Sequence, residues 1–218
     1  MQELYTQTST QQTSSIEVSK VLRNTYALLA MTILFSAVTA TISMAMNFPY
    51  LGLWMLLPYI GLLFLVEKTK NSIMGIFSVF ALTGYLGLTL GPILNYYIGM
   101  SGIEPVIMAL GGTALIFFAL SGYILVTRKD MSFATGFIMT GFLVAFIAMI
   151  ANAFLQLSGM SIAISCIFLV LSSLLIMWQT SAIIHGGETN YISATVTLYV
   201  ALYNLFSILL SFLGGSSD

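Results

Sequence analysis

The chain has 218 residues, with six Lys and Arg against seven Asp and Glu, so 6% of it is charged and 59% is apolar; an ordinary soluble domain is about 25% charged. So few charges cannot solvate a globule, and the uncharged runs 24–66, 71–103, 105–127, 131–187 and 189–217 outrun any normal core helix. A net charge of −1 offers no basic surface for nucleic acid, and the chain reads as an all-α integral membrane protein embedded in lipid.

Residues 1–19 are mostly Gln, Ser and Thr, without the basic start, short apolar stretch and small-residue cleavage site of a signal peptide. Such a segment buries too little apolar surface to offset its ordering entropy. It is expected to be a mobile cytoplasmic tail, one that a partner or an ATP-driven protease can grip, ahead of a membrane domain over 20–218. A bilayer core about 30 Å thick takes about 20 helical residues, and lipid excludes any span whose backbone is not internally paired. The runs therefore divide into helices near 22–46, 50–66, 72–94, 103–126, 133–156, 160–180 and 191–213. The divisions fall at Asn47 to Pro49, Glu67 to Asn71, Asn95 to Glu104, Arg128 to Asp130, Leu157 to Gly159 and His185 to Glu188, where turn formers or charges collect. The second helix is short and holds Pro58, expected to kink it; six spans is the alternative count. Pro92 is expected to end or kink the third helix. Thr83, Gly87 and Gly91 repeat every four residues ahead of it, a spacing that lets another helix approach closely.

With seven spans all six cations fall on one side of the membrane. Lys20 and Arg23 open the first helix, Lys68 and Lys70 join the second to the third, and Arg128 and Lys129 join the fourth to the fifth. Short cytoplasmic loops keep Lys and Arg, so the N-terminus is expected inside and the C-terminus, ending in Asp218, outside.

The spans hold amides and hydroxyls instead of charges: Asn95, Asn152, Gln156, Gln179 and Asn204. Asn152 and Gln156, four apart, share a helix face, and these amides are expected to look inward as hydrogen-bonding glue between helices or as a polar pathway. His185 and Glu188 flank a Gly-Gly loop. One His beside one Glu is no metal constellation, the single Cys166 can form neither a disulfide within the chain nor a cysteine metal site, and the paired glycines lack the strand and Lys of a phosphate loop. No catalytic residue, cofactor or metal is expected, and the chain reads as no enzyme.

The stretch Gly87-Leu88-Thr89-Leu90-Gly91-Pro92-Ile93-Leu94, followed by Ala109 to Phe117, resembles the signature of the Bax inhibitor family of multi-spanning membrane proteins. The runs Lys20 to Tyr26, Thr127 to Phe133 and Ile184 to Ile192 extend the resemblance along the chain, toward bacterial inner-membrane members. It implies six helices around a central seventh and two functions. One is binding and modulation, as a slow substrate, of the membrane-anchored AAA+ protease FtsH in membrane-protein quality control. The other is a calcium leak gated by a proton shared between two aspartates. Gln179 and Ala201 stand where the resemblance would put those aspartates. An amide and a methyl do not titrate, whereas two close carboxylates share a proton. The resemblance therefore favours the protease modulator, with a weak cation leak, lacking the aspartate pair, as the alternative.

Overall fold

The computed structural model describes residues 2–215. Among the described residues seven α-helices follow in order: α1 (Gln2–Ala45), α2 (Leu56–Thr69) after a 3-10 turn at Gly52–Met55, α3 (Met74–Ser101), α4 (Glu104–Thr127), α5 (Thr135–Leu155) after a 3-10 turn at Ser132–Ala134, α6 (Ser158–Ile184) and α7 (Tyr191–Gly214). All seven are long and apolar enough to cross a bilayer. The count of seven holds, with the short second helix completed by its 3-10 turn.

Burial separates inner from outer helices. Half of the most apolar stretch of α3 and 44% of that of α7 are enclosed, against 6% for the second span and 11% for the fifth. Buried residues lie on opposite faces of α7, with Ala194, Leu198, Ala201 and Leu205 along one stripe and Ile192, Val196 and Leu210 on the other side. A helix enclosed on several sides is a central one. It packs on α1, α3, α4 and α6, while α2 leans chiefly on α3 and α5 on α6.

α1 begins at Gln2, and the span proper starts at Ile16. Two expectations need correction. First, Pro58 does not kink α2. It sits in the helix's first turn, where a missing N–H costs nothing. Second, Pro92 does not end α3, which runs on to Ser101 and stops at Gly102, whose φ of 79° suits glycine. Proline denies a hydrogen bond to the carbonyl four residues earlier. Here that carbonyl, on Leu88, accepts a 2.7 Å bond from the Ser43 hydroxyl of α1. A neighbouring helix re-satisfies the freed group, as lipid surroundings require.

The close approach of α1 and α3 rests on glycines. A Cβ on Gly87 would lie 2.4 Å from the Ser36 carbonyl oxygen, and one on Gly91 would lie 2.4 Å from Ser43 Cβ. Gly84 supplies the third contact, against the Phe35 ring. Thr83 is fully buried, with its carbonyl 3.3 Å from the Tyr199 hydroxyl of α7.

Candidate functional site

The loops at one end of the bundle are tied together by side chains. Asn190 caps α7, its Oδ1 accepting from the backbone N–H groups of Ile192 and Ser193 at 2.9 and 3.2 Å. Its Nδ2 donates to the Lys70 carbonyl at 3.0 Å and to Asn71 Oδ1 at 2.8 Å, which clamps the α2–α3 loop onto the start of α7. Glu188 Oε1 accepts from Asn190 N–H at 2.8 Å. At the same end Ser181 donates to the Lys129 carbonyl and accepts from Met131 N–H, holding the α4–α5 loop on α6. Thr195, in the first turns of α7, donates to the Tyr191 carbonyl at 2.7 Å and lies 3.3 Å from the Thr25 carbonyl of α1. Lys20, Arg23, Lys68, Lys70, Arg128 and Lys129 thus share one end of the molecule, the distribution read from the loops. Lys70 pairs with Glu67 there, an exposed contact of small energetic weight.

Serine, histidine and aspartate lie near one another in this cluster. His185 Nδ1 lies 3.3 Å from Ser181 Oγ and 2.9 Å from the Ser181 carbonyl. Ser181 is buried, with its hydroxyl also 3.1 Å from the Lys129 carbonyl. Asp130, exposed nearby, accepts from Ser132 N–H at 2.8 Å. That backbone bond, the Ser132 hydroxyl and the proximity of His185 hold its carboxyl below the usual carboxylate range, against a small opposing effect of burial.

At the opposite end the amides finish helices. Asn95 Nδ2 donates to the Met44 carbonyl at 3.1 Å, satisfying one of the last carbonyls of α1. Asn152 Oδ1 accepts from Leu157 N–H at 3.1 Å and Nδ2 donates to Ser161 at 2.7 Å, bracing the α5–α6 turn. The shared inward face of Asn152 and Gln156 is not formed. Gln156 lies just past α5 with φ of 52°, exposed, its N–H closing the helix on the Asn152 carbonyl. A left-handed residue breaks the helical phase that the four-residue spacing assumed.

Between these ends the polar interior is hydroxyl chemistry. Tyr26 of α1, Ser121 of α4 and Thr180 of α6 meet at one point. Tyr199 of α7 donates to Ser36 of α1 at 2.5 Å, and Tyr203 shares a 2.9 Å bond with Thr89 of α3. Sequence reasoning passed over these tyrosines; the signal was there in Tyr199 and Tyr203, four residues apart on the last helix. Gln179 is buried on the α6 face that also carries Ser172, Ile176 and Ile183, and its Nε2 has no partner. Ala201 is equally enclosed on α7. Asn204 borders a cavity beside Tyr203. No three His, Cys, Asp or Glu side chains converge on a metal-sized site among the described residues.

The family described as "Inhibitor of apoptosis-promoting Bax1" matches residues 18–218. This protein belongs to that family. Within the Bax inhibitor family it is 55% identical, over 94% of both chains, to the Escherichia coli K12 protein named "Modulator of FtsH protease YccA". It has the same identity and coverage with the "Inner membrane protein YccA" of E. coli O6:H1. An uncharacterized protein of Pseudomonas aeruginosa is 51% identical over 98% of this chain and 97% of its own. Membership accords with a bundle of seven spans, the last of them central.

Proposed function

We propose that this protein is a multi-pass protein of the bacterial inner membrane, with its N-terminus in the cytoplasm and its C-terminus outside, that binds an FtsH-type AAA+ protease and modulates it as a slow substrate. It acts as a regulator of membrane-protein quality control and not as an enzyme. The reading is carried by its relationship to the E. coli modulator, 55% identical along nearly the whole chain. Two physical features support it. Residues 2–15 precede the first span at the cation-bearing end, the side that Lys and Arg assign to the cytoplasm, where an ATP-driven protease can seize a polar tail. Behind that handle, α1 is held on α3 by glycine contacts, so pulling on the tail loads a tightly packed pair of helices. A substrate that is gripped readily and extracted slowly occupies the protease, and occupancy inhibits.

Deleting residues 2–15 is expected to lengthen the protein's half-life in cells with active FtsH and to relieve its competition with other membrane substrates. Unchanged turnover overturns the handle. The match to the Bax inhibitor family supports, less specifically, the alternative of a weak calcium leak. Calcium entry into liposomes that depends on pH and is altered by Gln179→Leu would reverse the ranking. Copurification of FtsH without flux supports the modulator.

A further inference from the structure

Two cavities of nearly equal size open among the helices. One, about 510 Å³, lies between α1, α3, α4 and α7, and its walls mix aliphatic side chains such as Leu29, Ile33, Leu90 and Val106 with the rings of Tyr26, Phe117, Tyr199 and Phe206. The other, about 500 Å³, lies between α2, α3, α5, α6 and α7 and is walled by rings: Tyr59, Tyr85, Tyr203, Phe142, Phe146 and Phe168. Tyr50, from the α1–α2 connection, borders it at the end of the molecule away from the Lys and Arg residues.

The aromatic cavity is partly preset. The Tyr85 hydroxyl donates to the Met55 carbonyl at 2.8 Å and that of Tyr203 bonds Thr89, which fixes both rings. Phe142 and Phe168 brace each other with centroids 5.8 Å apart. The Tyr59 hydroxyl and the Asn204 amide border the same space and have no hydrogen-bond partner among the described residues. No ionisable side chain other than the tyrosines lines it.

These walls select a ligand by charge and hardness. Ring faces carry negative quadrupole potential and attract cations, most strongly when the site is dry. Calcium or magnesium requires six or more hard oxygens, commonly carboxylates, and the cavity has none. An anion finds no charged donor. What sets this cavity apart from its neighbour is its two unpartnered polar groups, since the hydroxyls of Tyr26 and Tyr199 in the neighbouring one are taken by Ser121 and Ser36. We propose that the aromatic cavity binds an organic ammonium ion carried on an apolar body, with the charge against the ring faces and its N–H groups donating to Tyr59 Oη and Asn204 Oδ1. This site is separate from the protease reading and does not depend on it.

The test is calorimetric titration of the full-length protein in lipid nanodiscs, with protein-free discs as the blank. The probes are 4-phenylbutylamine, cationic at pH 7, and its uncharged counterpart 4-phenylbutanol. Saturable binding of the amine, at least tenfold tighter than the alcohol, is expected. Tyr59→Leu and Phe146→Leu should each weaken it roughly five- to thirtyfold, while Leu110→Ala in the neighbouring cavity leaves it unchanged. Tyr59→Phe keeps ring and volume but loses the acceptor oxygen, and should weaken binding less than Tyr59→Leu does, which guards against misfolded Leu variants. Weaker amine binding in discs rich in phosphatidylethanolamine identifies a lipid headgroup as the resident ammonium; equal binding identifies a free amine. Equal affinity for alcohol and amine, or no saturable binding beyond the blank, overturns the proposal.

Discussion

Gly91→Ala tests the α1–α3 contact at its tightest. The new Cβ would lie 2.2 Å from Ser43 Oγ, 2.4 Å from Ser43 Cβ and 2.9 Å from Met44 N, where ordinary contact begins at 3.4 Å. The hydroxyl can rotate away; Cβ and the backbone nitrogen cannot, so α1 must retreat by about 1 Å. Overpacking of this kind costs about 1–3 kcal/mol. The retreat also removes the Ser43 bond to the Leu88 carbonyl, and a buried acceptor left unpaired costs about 1–3 kcal/mol. Alanine's better helix propensity returns about 1 kcal/mol, leaving a net loss of about 1–5 kcal/mol. Gly111→Ala is the control: nothing lies within 4 Å of its added Cβ, so only the propensity gain remains. Unfolding of both variants in mild detergent, followed by the fluorescence of Trp54 and Trp178, gives the comparison. A Gly91→Ala protein as stable as wild type would refute the close approach, as would equal losses in both variants.

The Pro92 passage makes a thermodynamic cycle. Ser43→Ala should cost about 1–3 kcal/mol in the wild-type background, and markedly less in Pro92→Ala, where the restored N–H satisfies the Leu88 carbonyl from within α3. Equal costs in the two backgrounds, read from unfolding midpoints, would remove the serine's compensating role. Asp130 supplies a pH dependence. Its folded pKa lies below the unfolded value of about 3.9, so its contribution is complete above that pH and disappears as pH falls through the folded value. Asp130→Asn should therefore lose less stability than wild type on acidification below about pH 4; parallel acid unfolding curves would refute the Ser132 bond as the cause.

The amides show where sequence alone falls short. Asn95, Asn152, Gln156, Gln179 and Asn204 look alike as polar residues in apolar runs, yet the structure gives them different surroundings. Asn95 and Asn152 complete helix ends, Gln156 lies outside its helix, Gln179 is enclosed with one unpaired nitrogen, and Asn204 borders an aromatic cavity. The loop partners of Asn190 were equally out of reach, being 119 and 120 residues away.

Hydropathy and the placement of Lys and Arg determined the membrane class, the seven spans and the gathering of cations at one end. Lipid imposes these element by element, through backbone pairing and the cost of moving charge, so a linear reading suffices. Whether Pro92 ended α3 was decided by a serine 49 positions earlier in the chain. Which rings enclose a cavity was decided by five helices at once. Both depend on partners brought together only by packing, and packing energy is set by through-space neighbours that no local pattern encodes.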